Sequence, residues 1–393
     1  MRSAAATLAV LAEQQFLDFL TPSFSALRGW LLRLGCYALS RPLDRSSAWV
    51  WLIDHTVQIG TLKLFVIVGC PLDQVPFGER CLRLSDLQLV ALVPMENSTK
   101  ERVNEALEEA TARTGVPRLI VSDDGSDVRG GAELFRGRHP ETARVSDVAH
   151  VGANTLEHYW DQDERWHSFV RQLGQTNQKI RQTKAAAVLS PTLRPKARFM
   201  KVGPLIRFAT RILRWLDSAN PPAVVEEKYG WLREYRADLA GWQEEHRVVQ
   251  TTIEVVRRDG LSGVTMSKVE EAWGPLSERP RTRKVAGRMR AYVAKNARGA
   301  RAGETLVGST EVLESAFGKL KRLEGTQAES GLTGLTLALG AILSEWEEDE
   351  IREGLDAVPK KEAEGWVKRH LGTSVQWLRR RLLAADDTEP KPR

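Results

Sequence analysis

Three apolar runs rich in β-branched and aromatic residues follow one another early in this chain of 393 residues. They span 48–54, 63–68 and 82–93, and Gly, Pro or polar turn residues bound each run. Runs of this length and composition are typical of strands buried in a sheet. The sequence therefore predicts three adjacent strands, and any fold for this chain has to accommodate a sheet built around them.

A helix and two further strands are predicted directly after these runs. Ser98, with Glu101 three residues later, has the spacing of a capping box, and the helix is expected to end near Gly115. Strands are then predicted over 118–122 and 143–146, on either side of a short helix around 131–135. This order predicts an α/β fold with a mixed five-stranded sheet and flanking helices.

A long helical pattern interrupted by prolines separates the fifth strand from a last helix that starts near Ser309 or Thr310. The predicted boundaries are 1–46 for an N-terminal helical segment broken near Pro22, 47–164 for the first part of the sheet domain, 165–302 for an all-helical insertion, 303–345 for the final helix of the sheet domain, and 346–393 for C-terminal helices and a disordered tail.

Positive charge is concentrated in the predicted insertion. Residues 171–301 hold 27 Lys and Arg against 12 Asp and Glu, a net charge of +15, while the rest of the chain carries −9, which gives the overall +6. A basic segment inside a mildly acidic protein indicates a polyanionic partner, although a basic surface also serves simply to keep a protein soluble.

Two classes of protein are not expected from the composition. The three cysteines fit neither a paired disulfide framework nor a zinc-binding spacing, which favours a reducing cytoplasm. No run of about 18 uncharged apolar residues occurs, and the brief apolar start reaches Glu13, so we expect neither a membrane span nor a signal peptide.

Carboxylates stand at three places where they could converge. Asp54 lies on the first predicted strand, where a charged group needs a compensating partner, Asp123 directly follows the fourth strand, and Glu314 lies beside the apolar stripe of the last helix. Three such carboxylates are suited to holding two Mg²⁺ ions over a phosphodiester, with Mn²⁺ as a substitute. A hydrogen-bonded structural Asp54 is the alternative, and Glu311, one turn earlier, competes with Glu314 although the helix dipole also explains it.

The chain resembles the DDE transposases of the RNase H-like superfamily, in particular bacterial insertion-sequence transposases with a helical insertion before the final Glu. The resemblance runs from about residue 15 to 345. It rests on Ile53-Asp54-His55-Thr56-Val57-Gln58-Ile59-Gly60, Ser122-Asp123-Asp124-Gly125-Ser126-Asp127, Asp147-Val148-Ala149-His150, Lys196-Ala197-Arg198-Phe199-Met200 and Glu314-Ser315-Ala316-Phe317-Gly318-Lys319.

This resemblance implies roles for individual residues. Asp54, Asp123 and Glu314 would be the metal ligands, and it favours Asp123 over Asp124 as the second ligand. Asp124, Asp147 and His150 would brace the site or the insertion, whereas Asp127 is expected to be a turn or cap residue. Residues expected to contact DNA phosphates are Lys319, Lys321 and Arg322 on the last helix, and Lys196, Arg198, Lys201, Arg281, Arg283 and Lys284 in the insertion.

The insertion contributes two more expectations. Its remaining arginines, including Arg207, Arg211 and Arg214, could follow DNA phosphates without reading bases. Trp231, Trp242 and Trp273 could stack on an unpaired base, although helix cores also use tryptophan.

The function predicted from these features is two-metal cleavage of DNA at transposon ends, followed by strand transfer from the 3′-hydroxyl. The expected partner is double-stranded DNA, the family implies a homodimer when DNA is bound, and the expected location is the cytoplasm, at the nucleoid. The short segment before the first strand leaves a truncated copy open. Two further alternatives are a catalytically silent, transposase-derived DNA-binding protein and an RNase H-like nuclease that does not join strands.

Overall fold

A computed structural model of the chain describes residues 8, 10, 21–59, 62–193, 198–324, 334–343 and 345–372. The chain divides into two compact units. The first, the sheet unit, comprises Met1–Pro76, Cys81–Val145 and Thr310–Arg393, and the second, the helical unit, comprises Phe77–Arg80 and Ser146–Ser309. The domain boundaries inferred from the sequence remain a prediction.

Within the described residues the sheet has five strands, and the predicted α/β fold with a mixed five-stranded sheet and flanking helices is confirmed. The strands are β1 (Trp49–Ile59), β2 (Leu62–Pro71), β3 (Gln88–Glu96), β4 (Leu119–Ser122) and β5 (Ala143–Ser146). Their spatial order is β3-β2-β1-β4-β5. The sheet is mixed because β2 pairs antiparallel with both β1 and β3, while β4 pairs parallel with β1.

Alternation along β1 decides which side chains face which side of the sheet. Trp49, Trp51 and Ile53 enter a buried cluster with residues of two helices, α2 (Lys100–Thr114) and α3 (Ser126–Arg138). Because successive side chains of a strand point to opposite faces, the even-numbered residues of β1 lie on the other face. Asp54 is therefore on the face that α2 and α3 do not cover.

Two local predictions were wrong, each because a polar side chain bonds to the backbone. The strand predicted over 82–93 begins only at Gln88, since Leu84–Asp86 forms a 3₁₀ turn in which the Asp86 carboxylate accepts a hydrogen bond from the Arg83 N–H (2.7 Å). Thr99, not Ser98, caps α2, because the Thr99 hydroxyl accepts from the Arg102 N–H.

The sheet unit has further helices outside the sheet, and three of them pack on α1. The helices are α1 (Phe24–Ser40), α11 (Glu311–Glu324), α12 (Ala338–Ile342), α13 (Glu348–Ala357) and α14 (Lys360–Leu371). Ser23 caps α1 by accepting from the Ala26 N–H (3.1 Å), and α12, α13 and α14 all contact this helix. Most of the predicted N-terminal helical segment before residue 21, and the predicted disordered tail, lie outside the described residues.

The helical unit has an aromatic core. Its helices are α4 (Val148–Trp160), α5 (Glu164–Ile180), α6 (Gly203–Leu216), α7 (Ala223–Tyr229), α8 (Arg236–Asp259), α9 (Thr265–Trp273) and α10 (Pro280–Ala297). Trp166 lies between Trp160 and Trp242, with ring centroids 4.6 and 5.0 Å away. Among the described helices of the whole chain, none is long and apolar enough to cross a membrane.

Two glycines of α1 provide a test of its packing. A Cβ at Gly35 would overlap the Leu337 carbonyl, whereas a Cβ at Gly29 would meet nothing within 4 Å. We expect Gly35→Ala to lower the free energy of unfolding by about 2 kcal/mol or more, because backbone atoms have to move apart. Gly29→Ala, the control on the same helix, should raise it by about 0.5 kcal/mol through helix propensity. Urea unfolding measures both, and equal effects would contradict this packing.

Candidate functional site

The pairing of β1 with β4 brings two of the predicted ligands to neighbouring positions. Leu52 pairs with Val121 and Ile53 with Ser122 in parallel register. Extending this register by one residue would bring Asp123, the first residue after β4, next to Asp54 of β1. Both residues are partly buried. Asp54 accepts a hydrogen bond from the His55 N–H (2.6 Å), and Asp123 accepts one from the Gly125 N–H (3.2 Å).

Asp124, the competing candidate for the second ligand, bonds to another strand. Its Oδ1 lies 2.8 Å from Nη2 of Arg144 on β5, and the Arg144 side chain is only 7% exposed. This ion pair ties the turn after β4 to the neighbouring strand. Asp124 thus has a bracing contact, and the choice of Asp123 as ligand stays a prediction.

A polar cluster that the sequence did not suggest surrounds His55, the residue after Asp54. Its Nε2 lies 3.0 Å from the Ser98 hydroxyl, and its Nδ1 lies 4.0 Å from Asp127 Oδ2. Lys63 of β2 donates to the same Asp127 oxygen (3.1 Å). The cluster therefore joins β1, β2, the start of α3 and the residue before the α2 cap. Only the spatial proximity of β1 and α3 reveals it, since its members are far apart in sequence.

Burial and hydrogen bonding shift the pKa values in this cluster. Burial lowers the pKa of His55, although the Asp127 carboxylate opposes the shift, so the ring is held neutral near pH 7. Burial alone would raise the pKa of Asp127, but hydrogen bonds from Lys63 and Ser98 outweigh it and the pKa is lowered. Asp127 is thus a charged partner of Lys63 as well as a residue of the first turn of α3.

The third predicted ligand, Glu314, lies on a helix that contacts β1. Buried Leu313, Phe317 and Leu320 form the apolar stripe of α11 as predicted, and Glu314 next to that stripe is exposed. Within the described residues, no three His, Cys, Asp or Glu side chains are grouped closely enough to hold a metal ion. The structure thus pairs the strand of Asp54 with the strand that ends just before Asp123 and places the helix of Glu314 in contact with the strand of Asp54, without gathering the three carboxylates in the described part of the chain.

Asp147 and His150 lie in the helical unit, at the start of α4. Asp147 is buried and caps the helix by accepting from the His150 N–H (2.8 Å), and its other oxygen accepts from the Ser309 hydroxyl (3.3 Å). The Val148 N–H also donates to the Gly308 carbonyl (3.0 Å). These bonds join the two ends of the 146–309 segment, so bracing of the insertion has a physical basis. A contribution to catalysis remains a prediction.

Arg281, expected to contact DNA, forms ion pairs with buried Glu245 and partly buried Asp163. Its guanidinium donates to Glu245 Oε1 (2.8 Å) and to Asp163, and the Glu245 side chain is 1% exposed. Burial raises the pKa of Glu245, and Arg281 opposes that shift. Trp160 donates to the other Glu245 oxygen (2.6 Å). Arg281 therefore has a structural role in these ion pairs, and its contact with DNA stays a prediction.

The other residues predicted to contact phosphates differ in their exposure and in their ion pairs. Lys201, Lys284, Lys319, Lys321 and Arg322 are exposed, and Arg283 is exposed but paired with Glu278. Lys196 and the side chain of Arg198 lie outside the described residues. The exposed residues can reach an external phosphate backbone, and their roles remain predictions.

Stacking on an unpaired base does not fit two of the three tryptophans named for it. Trp242 and Trp273 are buried, and the Trp273 indole donates to the Val248 carbonyl (3.0 Å). Trp231 is partly buried and donates to the Lys228 carbonyl (3.1 Å). The expectation was wrong for Trp242 and Trp273 because the helical unit uses them as core residues.

Substitution of Arg281 should destabilise the folded protein. Arg281→Met leaves Glu245 buried without its cation, so we expect the free energy of unfolding at pH 7 to fall by about 3 kcal/mol. Arg283→Met, the control two residues away, removes an exposed ion pair and should change it by about 0.5 kcal/mol or less. Chemical denaturation at pH 7 compares the two, and a loss at Arg281 no larger than at Arg283 would contradict the structural role.

A second test concerns His246 of α8, whose ring lies close to the side chain of Arg207. Burial and the Arg207 charge lower the pKa of His246 to about 4. Because the folded pKa is below the unfolded value of about 6.5, the unfolded state binds the proton first and stability falls as the pH drops from about 6.5 to 4. The loss should be of order 3 kcal/mol.

Urea unfolding at several pH values measures this loss. His246→Gln should flatten the pH dependence over that window, whereas the exposed His167→Gln should leave it unchanged. An unaltered pH profile in His246→Gln would show that other groups cause the loss.

Comparison with known proteins gives limited information. The sequence matches no protein-family model and no curated protein. Among solved structures, it is similar to the Drosophila P element transposase strand transfer complex, with a TM-score of 0.38, 12% sequence identity, and coverage of 84% of this chain and 86% of that chain. A similarity this distant assigns neither residues nor function.

Proposed function

We propose that the chain is a metal-dependent DNA transposase of the DDE type. The observation that supports the proposal is the parallel register of β1 and β4, which, extended by one residue, would bring Asp123 next to Asp54. Two carboxylates at adjacent positions would repel each other, and a divalent cation bound by both would reduce that repulsion. Carboxylate oxygens are the hard ligands that Mg²⁺ prefers.

Asp54 and Asp123 would hold the metal from the sheet, and Glu314 would supply the third carboxylate from α11. Contact between α11 and β1 supports this choice of helix, and Glu314 is exposed at the edge of its buried stripe. Two Mg²⁺ ions, with Mn²⁺ as substitute, would make the attacking oxygen a better nucleophile and neutralise charge at the scissile phosphate. The fit rests on the chemistry of the donor set, which consists only of carboxylates.

Other residues of the sheet unit would orient these groups and the substrate. The Asp124–Arg144 pair fixes the turn that carries Asp123, and the Lys63–Asp127 pair fixes the start of α3. Lys319, Lys321 and Arg322 are exposed on the helix of Glu314 and would contact phosphates of the bound DNA. Cleavage by water would free a 3′-hydroxyl, which would then attack target DNA.

The remaining proposals follow from the resemblance of the motifs. Double-stranded DNA, as transposon ends and as target, would be the partner, and two ends would be held by a DNA-bound homodimer. An endonuclease of this insertion-sequence type would act in the cytoplasm, at the nucleoid.

A catalytically silent DNA-binding derivative is the second candidate. One observation favours it: the described residues contain no group of three acidic, His or Cys side chains close enough to hold a metal. Such a protein would bind DNA with or without Mg²⁺ and would cut none. An RNase H-like nuclease would cut DNA but would not join it to a second molecule.

Substitution of each carboxylate separates these possibilities. We expect Asp54→Ala, Asp123→Ala and Glu314→Ala each to reduce nicking of supercoiled plasmid by more than about 100-fold. Loss of a residue that only supports a metal ligand typically lowers activity by about 10- to 100-fold, and loss of the ligand itself should lower it further. DNA affinity should stay within a few-fold. Asp124→Ala and Glu311→Ala are the matched controls, one residue and one helical turn away, and should keep measurable nicking in Mg²⁺ or Mn²⁺.

Each outcome has a defined meaning. Loss of nicking in Asp124→Ala with activity kept in Asp123→Ala would overturn the second ligand, and the same pattern between Glu311 and Glu314 would overturn the third. DNA binding by the wild type without nicking in either metal would support the silent derivative. Nicking without strand transfer of a labelled 3′ end into a second plasmid would support the nuclease.

A further inference from the structure

The helical unit neutralises many of its arginines internally. Pairs with carboxylates are formed by Arg165 with Asp238, Arg233 with Glu226, Arg236 with Asp217, Arg258 with Asp259, Arg281 with Asp163 and Glu245, and Arg290 with Glu270. On α10, Arg288 lies over the Tyr159 ring, 5.9 Å from its centroid. Several of the cations counted from the sequence are therefore paired within the protein, although the excess of positive charge remains.

Helix α6 differs from this pattern. Arg207, Arg211 and Arg214 are all exposed, and none of them forms an ion pair with a carboxylate in the described part of the chain. Their spacing of four and three residues places them on one face of the helix. Exposed Lys201 precedes the same helix. We call the face formed by Arg207, Arg211 and Arg214 the α6 arginine face.

The opposite side of α6 explains why this face points outward. Leu205, Ile206, Ala209, Ile212, Leu213 and Leu216 are buried. The helix packs through them on α8 and on the 3₁₀ segment Gly230–Tyr235. The apolar stripe thus fixes the rotation of the helix, and the arginines cannot turn inward to find a partner.

The charges around the arginine face leave it positive. His246 beside Arg207 is neutral near pH 7, since burial and Arg207 lower its pKa to about 4. Asp217, which follows α6, is already paired with Arg236. Three exposed guanidiniums on one face give a locally positive surface, which attracts a polyanionic partner.

The dimensions of the face suit a phosphodiester backbone. Arg207 and Arg214 are separated by about 10 Å along the helix axis, at 1.5 Å per residue. Phosphates of one DNA strand advance about 3.4 Å per nucleotide along the duplex axis, so the row matches about three nucleotides. Trp215 stands next to Arg214 and is 39% exposed, which provides an aromatic surface beside the cations.

We propose that the α6 arginine face binds the sugar–phosphate backbone of DNA, and that Trp215 stacks on a base where the strand is unpaired. This inference rests on the proposed function, since it names the surface that would hold the substrate. It also revises the sequence-based choice of contacts, because the arginines of α10 are largely occupied while those of α6 are available. Contacts of this kind hold the backbone and do not read sequence.

The salt dependence of binding tests the arginine face. The full-length protein is titrated into a labelled duplex of about 30 base pairs, in EDTA, at salt concentrations of roughly 50 to 200 mM. The triple variant Arg207→Gln, Arg211→Gln and Arg214→Gln should lower the slope of log affinity against log salt by about 2.7, or about 0.9 for each lost phosphate contact. Near 0.1 M salt, affinity should fall on the order of 100-fold.

A second triple variant provides the matched control. Arg236→Gln, Arg290→Gln and Arg352→Gln remove the same charge from exposed arginines that are already paired with Asp217, Glu270 and Glu348. The slope should fall by less than about one. Equal changes of the salt slope in the two triple variants would overturn the proposal. Binding of polyglutamate as tightly as duplex DNA would also overturn it, because the partner would then be an acidic polypeptide. Circular dichroism and thermal unfolding confirm that both triples are folded.

Trp215→Ala tests the stacking contact. Affinity for a single-stranded oligonucleotide of about 30 nucleotides should fall about fivefold or more, while affinity for the duplex should change by less than about twofold. Trp30→Ala removes a tryptophan of similar exposure, 41%, from α1 of the sheet unit and should alter neither affinity. Unchanged single-strand binding by Trp215→Ala would overturn the stacking role.

Failure of this inference is distinguishable from failure of the proposed function. Binding in EDTA requires no carboxylate site, whereas nicking does. Binding that depends on the α6 face without any nicking by the wild type would sustain the surface and overturn the transposase activity. If the wild type nicks DNA and the α6 substitutions leave DNA binding unchanged, the proposed surface is overturned and the metal-dependent activity is sustained.

Discussion

The parallel pairing of β1 with β4 is the constraint on which the candidate site depends. A parallel neighbour requires a crossover connection, and here the chain passes through β2, β3 and α2 before β4 returns beside β1. The register is strongly specified because Trp51 and Ile53 on one face of β1 enter the core with Ile120 of β4. A slip of one residue would move these side chains to the opposite face and carry Asp54 into the apolar cluster. Burial of apolar residues thus sets the position of the acidic ones.

Polar contacts around the acids refine what the sheet establishes. His55 and Asp54 are consecutive in β1, so their side chains face opposite sides of the strand. The hydrogen bond of His55 with Ser98 and its proximity to Asp127 hold the strand from the side away from Asp54. Asp123 and Asp124 are also consecutive, and Arg144 draws Asp124 toward β5. Each neighbouring pair is divided between a structural role and a candidate catalytic one. For Asp54 and His55 the division follows from strand geometry, since successive side chains of a strand face opposite ways, whereas Asp123 and Asp124 follow the end of β4 and are distinguished by the ion pair of Asp124 with Arg144.

In the helical unit, pairing of charges matters more than their number. Glu245 is buried among aromatic residues, and a buried carboxylate is tolerated only with a cation and hydrogen-bond donors, here Arg281 and Trp160. Arg281 comes from the most basic stretch of the chain and is nevertheless structural. On α6, the apolar stripe buries one side and leaves three arginines exposed without carboxylate partners in the described chain. Which cations can meet an external polyanion is therefore decided by packing.

Much of the architecture could be predicted from the sequence, because it depends on local composition and periodicity. The apolar runs gave β1 and β2, Gly115 ends α2, and the stripe of Leu313, Phe317 and Leu320 is buried on α11. The order of these elements determined the α/β fold. Tertiary structure decided the rest: the start of β3, the pairing of Asp124 with Arg144, the burial of Trp242 and Trp273, and the exposure of Trp215. The physical reason is that a sequence pattern states which residues prefer burial or hydrogen bonds, whereas only the packed chain decides which partners they find.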